Sequence, residues 1–89
     1  MRDAIEQYLL GEFKAAPRFE AMPDGALKAT ISEGGCDYGA EFSRDFLEEH
    51  DPHRVTELLT EWNVAGEMRR MEGLEISVSN VGVRLDSSN

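Results

Sequence analysis

The chain has 89 residues, 40% of them hydrophobic, and carries eighteen Asp and Glu against nine Lys and Arg, a formal net charge of −9. That field repels free nucleic acid and anionic membranes and draws in basic protein surfaces, so direct nucleic-acid or membrane binding is excluded as an expectation. A chain of this size builds one domain and buries only about 60–65% of the surface it exposes when unfolded.

The pattern predicts one domain over residues 1–85 with a polar tail from Asp86 to Asn89. The first element is a helix over Asp3–Ala16: Ile5, Leu9 and Phe13 repeat at i, i+4 and i+8, and Tyr8 and Ala16 widen the stripe. Asp3 is its expected cap, Gly11 weakens its middle, and Pro17 stops it.

A three-stranded meander is expected next. Arg18–Met22 is followed by the turn Pro23-Asp24-Gly25, in which proline presets φ and glycine permits a positive one. Leu27, Ala29 and Ile31 then alternate with Lys28, Thr30 and Ser32 as a half-buried strand, and Glu33-Gly34-Gly35 turns the chain again. The third strand puts Cys36, Tyr38, Ala40 and Phe42 on the inward face and Asp37, Gly39 and Glu41 on the outward one.

Ser43–His50 has two readings: a helical turn capped by Ser43 that carries Phe46 and Leu47, or a continuation of the strand. Asp51-Pro52 is a strong helix start, with Val55, Leu58, Leu59 and Trp62 as the apolar stripe behind it. Asn63 and Gly66 are expected to break that helix, and Met68 and Met71 to continue an apolar face to about Glu72. After Gly73, Leu74, Ile76 and Val78 alternate as a strand. The apolar parity then shifts to Val81, Val83 and Leu85, which requires a bulge or a tight turn at Ser79-Asn80. The fold class expected is α+β: an antiparallel sheet of three to five strands with helices on one face, in the order α-β-β-β-α-(α)-β(-β).

No catalytic motif emerges, so no enzyme, cofactor or metal is expected. His50 and His53 flank the helix start at Pro52, which disrupts the geometry by which residues three apart converge on a cation, and a structural site needs about four ligands. Cys36 shares the inward parity of Tyr38 and Phe42 and sits beside Glu33 and Asp37, surroundings opposite to those of a reactive thiol. Gly34-Gly35 lacks the rest of a phosphate-loop pattern. A single cysteine and an N-terminus without a basic start or an apolar run fit a cytoplasmic protein, within the host cell if the chain is phage-encoded.

The acids carry the functional signal. Between Asp37 and Asp51 lie six carboxylates (Asp37, Glu41, Asp45, Glu48, Glu49 and Asp51) against one cation among Lys and Arg, Arg44. Asp37 and Glu41 share the outward face of their strand, about 13 Å apart. Such a ridge offers a basic groove a charge row like that of a nucleic-acid backbone, or it is a solvated face that keeps a small protein soluble. Met68-Arg69-Arg70-Met71 reads either as a partner-facing patch or as core methionines with arginines paired to nearby acids. The valines of the last segment leave a sheet edge on which a homodimer could form.

The opening helix, the hairpins at Pro23-Asp24-Gly25 and Gly34-Gly35 and the acidic stretch Asp37–Asp51 together resemble the layout of some small anti-CRISPR proteins of phages and mobile elements. The resemblance covers roughly the first two-thirds of the chain, in element order and charge. It implies an inhibitor that occludes the nucleic-acid groove or effector surface of a basic, nucleic-acid-binding partner. An immunity or antitoxin-like protein, or an adaptor, would share this composition but hold one cognate partner through an apolar surface around Trp62, Met68 and Met71.

Overall fold

The first helix, α1 (Arg2–Glu12), buries Ile5, Tyr8 and Leu9 as their spacing demands. In the computed structural model, which describes residues 2–71, 73 and 75–85, it ends at Glu12 and not at Ala16. Phe13 still closes the last turn, its N–H donating to the Leu9 carbonyl at 2.7 Å, but its ring is fully buried and packs 5.3 Å from that of Tyr38. The Arg69 guanidinium donates to the Glu12 carbonyl, satisfying one of the acceptors that a helix end leaves open.

Three strands follow: β1 (Arg18–Ala21), β2 (Leu27–Glu33) and β3 (Cys36–Phe42), paired antiparallel as expected. Glu33 faces Cys36 across Gly34 and Gly35, whose φ of 61° and 82° are those of a primed two-residue turn, which matches the twist of the flanking strands. The ambiguous segment is helical. Ser43 caps α2 (Arg44–Glu49) by accepting the Phe46 N–H at 3.1 Å.

Asp51 caps α3 (Pro52–Glu61) by accepting the Arg54 N–H at 2.8 Å, and Pro52 occupies the first turn. The break after α3 belongs to Asn63, which takes a left-handed φ of 51°; Gly66 lies inside α4 (Val64–Arg70). A Cβ on Gly66 would come within 2.3 Å of the Asn63 amide nitrogen, so this glycine makes room for the residue that turns the chain. The chain closes with β4 (Glu75–Ser79) and β5 (Gly82–Leu85). The expected end of the second helical region at Glu72, Leu74 at the start of the strand and the tail 86–89 lie outside the described residues.

The sheet runs β1-β2-β3-β4-β5 and is mixed, which corrects the antiparallel expectation: β3 and β4 pair in parallel, Ala40 opposite Ile76 and Phe42 opposite Val78. The cause is the connection between them. Parallel neighbours need a crossover of a dozen or more residues, and α2, α3 and α4 supply it. The parity shift in the last segment is a tight turn: Ser79 faces Gly82 across Asn80-Val81, so even positions of β4 meet odd positions of β5. Val81 therefore belongs to the turn and is 76% exposed, not part of a strand face.

One face of the sheet carries the core. Ala29, Ala40 and Ile76 stand side by side across β2, β3 and β4, and Leu27, Phe42 and Val78 form the next row. Ala29, Ala40 and Ile76 are all fully buried. Val55, Leu58 and Leu59 of α3 and Val64, Ala65 and Met68 of α4 are buried, and Phe46 of α2 packs 6.2 Å from Phe42. Among the described residues this core buries no charged side chain, and every buried polar side-chain atom has a partner. Its polar join is Tyr8, whose hydroxyl accepts the N–H of Ala65 at 3.1 Å, doing for the first turn of α4 what the Asn63 side chain does not.

Burial first, and the nearby Glu12 carboxylate in lesser measure, raise the Tyr8 pKa above the usual 10.0, against the opposing pull of the Ala65 hydrogen bond. A phenol raised in the folded state stabilises the protein fully below the unfolded pKa, and that contribution is lost as pH rises through the folded value. Tyr8→Phe should cost about 1–3 kcal/mol at neutral pH by orphaning the Ala65 N–H. It should also flatten the fall in stability above the phenol's ordinary pKa, both measurable by chemical denaturation across pH. Two glycines should respond in opposite directions. Gly11→Ala, in open space on a helix, should raise stability by roughly 0.5–1 kcal/mol. Gly35→Ala, at φ +82°, should lower it by roughly 1–2 kcal/mol.

Candidate functional site

The six acids of the Asp37–Asp51 stretch divide between strand β3 and the helical segment that follows it. Asp37 and Glu41 lie on the face of the sheet opposite the helices, where strand alternation also places Arg18, Glu20, Lys28, Glu75 and Arg84. Asp37 accepts the Ser32 hydroxyl at 2.6 Å across the β2–β3 pair. Lys28 stands opposite Glu41 and reaches the Glu75 carboxylate at 2.9 Å, a hydrogen-bonded ion pair that raises the lysine's pKa above its usual 10.5. Four acids and three cations thus share this face, and its charges nearly balance. A shallow depression of about 240 Å³ lies there, over Thr30, Gly39 and the Lys28–Glu75 pair.

Asp45, Glu48 and Glu49 lie in the helical layer. On α2 they are one, four and five residues into the helix, a spacing that stacks them on one side while Phe46 turns to the core and packs 5.9 Å from the Trp62 ring. Glu48 accepts from Arg44 at 2.9 Å, an exposed pair worth little in stability. Asp51 is engaged as the α3 cap. Beyond it Glu57 and Glu61 extend the acidic side along α3, opposite the Val55-Leu58-Leu59 stripe. From Arg44 to Glu61 there are six carboxylates against two cations of Arg type, and all six are exposed. The excess negative charge of the 37–61 region is therefore concentrated on α2 and α3.

Asp37 and Glu41 lie on the outward strand face that their alternation predicts, and Glu41 lines a depression with Ser43 and Arg44 at the start of α2. Glu57 and Glu61 lie outside the Asp37–Asp51 stretch, although their i, i+4 spacing off the apolar stripe is legible in the chain. The Lys28–Glu75 pair could not be read, because it depends on β4 lying beside β3.

The other candidates find structural roles. Of the apolar trio, Met68 is fully buried, while Trp62 and Met71 are half-buried and pack against the core. Arg69 lies over the Phe13 ring at 4.4 Å and 3.9 Å from Glu33, and Arg70 pairs with Glu67 at 3.5 Å. Cys36 is half-buried, not enclosed. His50 sits with Nδ1 3.0 Å from the Phe46 carbonyl and its ring 5.1 Å from that of Phe46. His53 instead faces Glu57, at 3.6 Å. Among the described residues no three His, Cys, Asp or Glu side chains are grouped to hold a metal ion, and no helix is long and apolar enough to cross a membrane.

The fold and surface define a small α+β protein with a five-stranded mixed sheet, helices on one face and an acidic helical side. Compared with family models, curated proteins and solved structures, the chain has no match.

The acids differ in what they do for the fold, which separates stability from recognition. Asp51→Ala should lower stability by about 1 kcal/mol through loss of the α3 cap. Asp45→Asn should leave it within about 0.5 kcal/mol. Thermal melts of the two variants beside the parent check this.

Proposed function

We infer that the protein binds and inhibits a basic, nucleic-acid-binding protein or complex, as the anti-CRISPR-like layout implies, by occupying the surface that would otherwise hold the nucleic acid. What carries the reading is the run of exposed carboxylates along α2 and α3, with Asp45, Glu48 and Glu49 stacked on one side of α2 and only Arg44 and Arg54 nearby to offset the run. Rows of carboxylates on a stiff scaffold attract a basic groove over several ångströms, speed encounter and impose steep salt dependence. Asp37 and Glu41, diluted among the cations of the sheet face, contribute less in this reading than the α2 acids. Asp51 contributes mainly through the helix it starts.

The test is capture of nucleic-acid-binding proteins from host lysate on the immobilised protein, eluted by a salt step, with Asp45→Asn/Glu48→Gln/Glu49→Gln as the control. The parent should retain such a partner at low salt and release it as salt rises. The folded triple variant should bind it at least ~10-fold more weakly, since a shared charge surface loses most of its steering with its charges. Retention by the triple variant at full strength, or a partner that ignores salt, would overturn the reading.

A further inference from the structure

The C-terminal hairpin differs in charge from the rest of the chain. Residues 76–85 form the longest stretch without an acid, and Arg84 is the one charged side chain within it. Its second strand, β5, lies at the edge of the sheet, and among the described residues it pairs with β4 alone. Ser79 faces Gly82 across the two-residue Asn80-Val81 turn, and in such hairpins the residues flanking the turn form a hydrogen-bonded pair. Antiparallel alternation then directs the main-chain groups of Arg84 toward β4 and those of Val83 outward. Beside this edge stands Val81, at 76% exposure the most exposed large hydrophobic among the described residues.

We propose that β5 is a self-association edge, pairing antiparallel with β5 of a second copy about a two-fold axis at Val83. In that register Val83 meets its own counterpart and each supplies the N–H and C=O the other needs. Gly82 lies opposite Arg84 of the second copy, so the two arginines do not face each other and the glycine leaves space for the long stem. The pairing closes on itself, as two-fold interfaces do. Charge selects this edge: two molecules at −9 repel, and the acid-free hairpin is where their approach is least opposed. The opposite edge, β1, exposes Arg18 and Glu20 instead, the charged protection that strand edges commonly carry.

Self-association at this edge has the reverse salt dependence of binding through the acids. Screening weakens attraction to a basic partner but relieves repulsion between two acidic copies, so the dimer strengthens as salt rises. The two readings can therefore fail separately.

Sedimentation equilibrium of the purified chain over a range of concentrations, at low salt and at about 0.5 M salt, measures this directly. Amide hydrogen exchange read residue by residue accompanies it. A reversible dimer favoured by salt is expected, with the Val83 amide gaining protection as concentration rises while the Gly82 and Arg84 amides stay protected throughout by β4. Val81→Asp, at an exposed turn position, should leave the melt unchanged and raise the dimer dissociation constant about threefold at low salt, because it adds a negative charge to each of two already acidic copies, an effect that fades as salt rises. A chain that remains monomeric at every concentration in high salt overturns the proposal, even if it captures a foreign strand. So does a dimer in which Val83 exchange is independent of concentration.

Discussion

The parallel pairing of β3 with β4 is the constraint on which the rest of this structure depends. Two parallel strands cannot be joined by a tight turn, so the chain between Phe42 and Glu75 must leave the sheet, cross one face and return. It does so as three short helices, and their apolar side chains fill the face that the crossover covers. The other face is left to a near-balanced set of charges.

The helices of the crossover are too short to be stable alone, since isolated helices below about 12–15 residues are marginal in water. Each is held at its ends. Ser43 and Asp51 cap α2 and α3 from within the local sequence, whereas α4 depends on Tyr8, fifty-seven residues away, for its cap. Arg69 returns the contact by satisfying a carbonyl at the end of α1 and covering Phe13. The N-terminal helix and the last helix therefore order one another, and a change at either is felt at both.

The same crossover distributes the charge. Because α2 and α3 must turn Phe46, Val55, Leu58 and Leu59 inward, the carboxylates between those positions are forced outward on the helical side. A charge excess that the linear sequence spreads over fifteen residues becomes two unequal populations: a few acids diluted by Lys28, Arg18 and Arg84 on the sheet, and a denser run on the helices. The acid-free hairpin at the far edge is the complement of that asymmetry.

Local chemistry was legible in the chain itself. The meander, its glycine turn, the Asp51-Pro52 helix start and the identity of most core residues follow from period, turn residues and caps, which act over a few positions. The parity shift at Ser79-Asn80 also announced a turn or a bulge. What the sequence could not decide was which strands are neighbours, because pairing in parallel or antiparallel is settled by how a distant layer packs. With that went the Lys28–Glu75 pair, the packing of Met68 into the core and the contact of Arg69 with the end of α1. Each is a contact between residues far apart in the chain, and only the tertiary structure could decide it.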